Sequence, residues 1–257
     1  MPTEPLLSLS TVCGFLCVLA RVTGAFIWIP LPGIRSGFET PRIFLSLAVT
    51  LSLFPEWPAV DASEAELGRL AVWMLGEAAL GITIGLAVAF MLEAFVLGAQ
   101  VTGLQAGYAY ASTIDPDTQA DSGILLVLAQ LSAGLLFFTL GLDREIVRAL
   151  AASLQAHPPG RFALSRPLTE QVWRLGGEMF GTGLRLAMPA LGLLMLVDVA
   201  LALFGRVHAQ LQLLSMAFPV KMLGALALLA TTAPLFPTVL RGSARGMEGI
   251  LRLLLEH

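Results

Sequence analysis

Charge is what this chain has least of. Only 13% of its 257 residues are Asp, Glu, Lys or Arg, against roughly 25% in an average soluble domain, while 56% are hydrophobic. That balance is the composition of a membrane protein. Lysine is almost missing: fourteen of the fifteen cationic residues are Arg, and Lys221 is the single Lys. With a net charge of -3 and no Lys/Arg-rich block, nothing offers nucleic acid a basic surface, and no nucleic-acid partner is expected.

Cysteine and histidine are nearly as scarce. Cys13 and Cys17 stand one helical turn apart in the first apolar run, without the further ligands a metal site needs or the partners a disulfide framework needs. They read as small core- or lipid-facing residues, and neither metal nor cofactor is expected. His157, His208 and His257 lie in unrelated places. No HExxH, GxSxG or paired-Asp helix motif occurs, and Ser112 has no base at helical spacing, so catalysis is not expected. Near Glu4 the chain shows neither a basic region nor a small-residue cleavage site, so Leu6 onward is expected to be a retained span.

What the chain does have is apolar runs. Leu6–Leu31, Leu70–Leu97, Ile124–Leu142, Phe180–Phe204 and Leu211–Phe236 approach or exceed the ~20 residues that cross a bilayer; Pro41–Phe54 is shorter and either spans with help or is re-entrant. Bare backbone polar groups are not tolerated in lipid, so the runs must be helical. The expected fold is all-α, with five or six membrane-length helices in one unit. Asp143–Arg174 is expected to be the longest soluble piece. It carries five Arg, and the tail after Phe236 adds Arg241, Arg245 and Arg252. The positive-inside rule puts both on the cytoplasmic side; six spans then place the N-terminus and the acidic Pro55–Arg69 linker inside and Arg206 outside.

Arg21, Glu77, Glu93, Arg185, Asp198 and Lys221 interrupt these runs, each at a cost of about 2.5–3.5 kcal/mol at a helix centre. Either they face a polar interior, or partner subunits cover them, or the helices do not sit wholly in hydrocarbon. Glu77, Gly81, Gly85, Ala89 and Glu93 fall four apart, a ridge on which Gly81-x-x-x-Gly85 permits a second helix to approach closely; Gly177-x-x-x-Gly181 repeats the device. The last two runs read as an antiparallel hairpin turning near Arg206–Gln210. Asp198 and Lys221 then reach similar depth and are expected to pair, the alternative being a Lys221 that snorkels to an interface.

One stretch resembles none of its neighbours. Gly103–Gly123, GLQAGYAYASTIDPDTQADSG, holds both tyrosines of the chain, Tyr108 and Tyr110, and three aspartates from Asp115-Pro116 onward. By residues alone the tyrosines fit an interfacial belt as well as a packed loop, and Asp115-Pro116 is an ordinary turn signal.

The order of features resembles the FliR family of flagellar biosynthesis and its relatives in virulence type III secretion. Gln105-Ala-Gly107-Tyr-Ala-Tyr110-Ala-Ser-Thr-Ile-Asp115-Pro116 is similar to the family's Gln-x-Gly to Asp-Pro segment. Asp198 to Gln212, with Arg206 and Gln210, followed by Phe218-Pro219-Val-Lys221, resembles both FliR and the hairpin subunit FliQ. The resemblance implies a FliP-like part, 1–165, fused to a FliQ-like hairpin and tail, 166–257. It implies a non-catalytic gate subunit of the inner membrane and basal body, in a helical ring with FliP- and FliQ-like subunits, meeting FlhB- and FlhA-like components and passing unfolded proteins. A pore plug is implied at Gln105, Gly107, Tyr108, Tyr110, Thr113, Ile114, Asp115 and Pro116; Thr113 stands where some relatives have an aromatic. Hairpin and gate contacts are implied at Asp198, Arg206, Gln210, Gln212, Pro219 and Lys221, with the hairpin turn near the cytoplasmic end, unlike the span count. The competing reading is a secondary transporter or ion channel in which Glu77, Glu93 and Asp198 relay protons or hold an ion.

Overall fold

A computed structural model of the chain describes residues 9–29, 39–58, 67–108, 124–162, 165–207 and 213–256. All regular structure among them is helical. The helices are α1 (Leu9–Trp28), α2 (Glu39–Ser52), α3 (Leu67–Ala106), α4 (Ile124–Thr139), α5 (Leu142–Ala156), α6 (Arg166–Val207), α7 (Leu213–Thr232) and α8 (Phe236–Glu256).

Among the described residues four stretches are long and apolar enough to cross a membrane: Leu9–Trp28, Gly68–Ala106, Arg166–Arg206 and Ala217–Leu254; α4 with α5 makes a fifth if the bent pair is counted as one span. The structure differs from the sequence expectation in two ways. The run Ile124–Leu142 is not one straight span, because Gly141 takes a left-handed φ of 72° and the chain bends by 62° into α5. The helices α3 and α6 have 40 and 42 residues, about 60 Å at 1.5 Å per residue, twice a hydrocarbon core of about 30 Å. α6 continues through Pro189, although proline removes an interior hydrogen bond.

The chain forms two compact units interleaved along the sequence. The first comprises Met1–Phe90, Phe137–Gly176 and Ser243–His257. Its core takes Cys17, Val18 and Val22 from α1, Leu80 and Ile84 from α3, Ile146, Leu150 and Leu154 from α5, and Met247, Ile250 and Leu254 from α8, all buried. The helices α5 and α8, expected as soluble piece and tail, are amphipathic: their buried residues recur at three- and four-residue spacing, one apolar stripe facing the core, and Arg241, Arg245 and Arg252 lie on the exposed face of α8.

The second unit comprises Met91–Leu136 and Gly177–Gly242. Within it α3 and α6 approach closely: a Cβ at Gly183 would stand 2.8 Å from the Ala94 carbonyl oxygen, and one at Gly98 3.0 Å from that of Gly183. Much of this apolar surface is not covered by the chain itself. In the apolar windows of Arg166–Arg206 and Ala217–Leu254 only 17% and 11% of residues are buried, against 61% in Gly68–Ala106.

Candidate functional site

The site of interest lies in the second unit, where α3 ends. Its last turn carries Gln105 and Ala106, and the next residue, Gly107, adopts φ 86°, the left-handed position at which glycine commonly closes a helix. The Gly107 N–H donates to the Leu104 carbonyl at 3.2 Å. Glycine is required here on two counts, since a Cβ would also stand 2.7 Å from Cδ1 of Phe218 on α7. Tyr108 then turns its hydroxyl to α7 and donates to the Met222 carbonyl at 2.9 Å.

Gln105 points to α6. Its Nε2 donates to Asp198 Oδ2 at 3.1 Å, and the same carboxylate receives Lys221 from α7, with Nζ 2.8 Å from Oδ1 and 3.0 Å from Oδ2. The expected pairing of Asp198 with Lys221 is therefore present, with Gln105 as a third member. In the same unit Ala106, Leu125, Leu194 and Ala225 form a buried cluster against which Tyr108, Leu226 and Leu229 pack. Ala106 precedes and Leu125 follows the stretch 109–123, so both flanks of that stretch meet in one cluster.

The predicted site residues separate into groups. Gln105, Gly107, Tyr108, Asp198 and Lys221 come together as described. Tyr110, Thr113, Ile114, Asp115, Pro116, Gln210 and Gln212 lie outside the described residues. Arg206 and Pro219 are exposed on α6 and α7. Gly81 and Gly85 do admit a helix, and it is α1 of the same chain: a Cβ on either would collide with the carbonyl of Arg21 or Ala25. Among the described residues nothing lies within 4 Å of where a Cβ on Gly177 or Gly181 would stand. Glu93 is exposed on α3, and so is Arg185 on α6.

Glu77 belongs to the first unit and to a constellation that sequence reading missed. The fully buried Arg21 donates Nε to Glu77 Oε2 at 2.5 Å, Nη1 to Ser153 Oγ at 2.9 Å and Nη2 to the His157 carbonyl at 2.7 Å. The His157 ring Nε2 lies 2.5 Å from the Leu254 carbonyl oxygen. α1, α3, α5 and α8 are thus tied through one guanidinium and one imidazole. Opposite charges inside two apolar runs were the only available signal; nothing marked Ser153 or the His157 backbone.

Long apolar helices with charges held inside them define an integral membrane protein. The profile of a family described as bacterial export proteins, family 1, matches residues 12–247. The flagellar biosynthetic protein FliR of Escherichia coli K12 is 26% identical over 218 residues, 84% of this chain and 83% of the relative. FliR of Pectobacterium carotovorum is 27% identical over 224 residues, 87% and 84% of the two chains; FliR of Bacillus subtilis is 24% identical over 220 residues, 81% of each. The chain belongs to the bacterial export proteins, family 1, the FliR family, and is a non-catalytic membrane component of the flagellar export apparatus. Its place is the bacterial inner membrane, in the flagellar basal body.

Proposed function

We propose that the chain is the gate-bearing subunit of a protein-conducting channel, and that Gly107–Ser122 is its plug, with Tyr110, Thr113, Ile114, Asp115 and Pro116 in the occluding part. The observation that carries this reading is the meeting of Ala106 and Leu125 in one cluster: a polar stretch between apolar helices starts and ends at one anchored point, as a compact loop does. Small residues and glycines suit a tight non-helical path, and the tyrosines pack while keeping a polar tip.

The channel itself is assembled from several chains. Residues 1–165 act as a FliP-like part and 166–257 as a FliQ-like hairpin and tail, joined with FliP- and FliQ-like subunits in a helical ring. FlhB- and FlhA-like components meet its cytoplasmic end, and unfolded proteins pass through. Support for a multi-chain assembly comes from the uncovered apolar surface of α6 and α7, from the open Gly177 and Gly181, and from the exposed Glu93 and Arg185, charges that are costly against lipid. Co-purification tests it. The tagged chain is expected to bring down FliP- and FliQ-like chains in a complex that survives detergent. A chain that is stable and homogeneous alone, with no such partners, contradicts the proposal and favours a transporter.

A further inference from the structure

The first unit holds a pocket of about 540 Å³, within the roughly 300–1,000 Å³ of small-ligand sites. Its wall is apolar, with Phe26 from α1, Leu45 and Val49 from α2, Phe138 from α4 and Val147 from α5. Its charged lining comes from the start of α5: Asp143, Arg144 and Arg148. Arg148 meets Glu145 at 3.0 Å, but the two side chains are 73% and 54% exposed, and such a pair is weak. Among the described residues the side chains of Asp143 and Arg144 make neither a hydrogen bond nor an ion pair. Arg144 also gains nothing from its helix, since a cation in the first turn faces the positive end of the dipole. α2 exposes Ile43 and Phe44 as well, a surface suited to hydrocarbon.

We propose that this pocket seats a membrane phospholipid with an ethanolamine headgroup. An acyl chain fills the apolar wall, the phosphate takes the guanidinium groups of Arg144 and Arg148, and the ammonium takes the Asp143 carboxylate. The charges select the headgroup. Guanidinium and phosphate make strong, charge-assisted hydrogen bonds, and Arg144 has no competing partner. A glycerol headgroup would set a second anion beside Asp143 without a cation to balance it; a choline headgroup has no N–H to donate to that carboxylate. The inference needs the membrane setting of the chain and is independent of the plug.

Photolabelling tests it. The protein, extracted from membranes with the chains that accompany it, is placed in phosphatidylcholine nanodiscs. These carry a trace of phosphatidylethanolamine or phosphatidylglycerol with a photoreactive acyl tail, and labelled peptides are mapped by mass spectrometry. Label is expected on Leu45, Val49 and Val147 above that on Leu196 and Leu203 of α6, whose exposure reports unselective lipid contact. The ethanolamine lipid should label the pocket about tenfold more than the glycerol lipid, and Arg144→Gln with Arg148→Gln should lower its labelling about tenfold. Asp143→Asn should abolish the preference between the two lipids. Leu45→Trp, which fills the pocket from a partly exposed position and leaves the charges in place, should lower labelling by both lipids. Size-exclusion profiles matching the parent are required of each variant. Pocket labelling no higher than that of α6, or unchanged by Leu45→Trp, overturns the site; so does complete competition by phosphoethanolamine, which lacks the chains. Equal or greater labelling by the glycerol lipid overturns the choice of headgroup.

Discussion

Arg21 Nε stands 2.5 Å from Glu77 Oε2, with side-chain exposures of 0% and 1%. The two residues are 56 apart in sequence, and the guanidinium also reaches Ser153 and the His157 carbonyl. A buried pair of this kind is weak evidence for stability as a whole, yet losing one member is costly, about 3–5 kcal/mol, because the survivor stays buried and charged. Glu77→Leu is therefore expected to lower the thermal unfolding temperature of the purified protein sharply. Adding Arg21→Met should recover part of the loss. A Glu77→Leu chain as stable as the parent would show that the pair is not holding the first unit together.

The two glycine pairs are expected to behave differently. Leu at Gly81 or Gly85 drives a side chain into the α1 backbone, so the chain should fail to yield a monodisperse species even before partners are added. A Cβ at Gly177 or Gly181 meets nothing within 4 Å among the described residues; with Leu there, the folded chain should persist while recovery of the multi-chain complex falls. Size-exclusion profiles of the tagged chain, with and without FliP- and FliQ-like chains, distinguish the two. Equal effects from both pairs would contradict this division.

Part of this was legible beforehand and part was not, for physical reasons. Asp198 and Lys221 carry opposite charge at equal depth on a hairpin, and hydrocarbon favours only pairing or escape, so their contact could be read from spacing. Gly81 and Gly85 announced a close helix without saying which, since small-residue spacing does not name its partner; α1 supplies it. The break at Gly141 was invisible to hydropathy, because a left-handed turn costs glycine nothing and leaves the apolar run uninterrupted. That the soluble piece and the tail would hold the helices α5 and α8 was not legible from apolar runs, because half of each amphipathic helix is polar. Gln105 could be placed in the plug by resemblance, but its hydrogen bond to a residue 93 positions later is a tertiary fact.

Tyr108→Phe removes one hydrogen bond, that to the Met222 carbonyl, worth roughly 0.5–1.5 kcal/mol. The complex should assemble normally and leak slightly. Gly107→Ala is expected to be worse, since an added Cβ meets both the left-handed backbone and the Phe218 ring; a strained φ of this kind costs of order 1–3 kcal/mol. Leak measured for the two variants in parallel checks the order. Gly107→Ala at or below Tyr108→Phe would show that the end of α3 is not held against α7 by these contacts.

The central claim is that the stretch leaving α3 at Gly107 closes a channel. Deleting Gly107–Ser122 and recording conductance across membranes that hold the assembled complex tests it most directly. The account predicts a complex of unchanged composition that passes ions or small solutes where the parent does not. An equally tight membrane with normal export of flagellar proteins would contradict it.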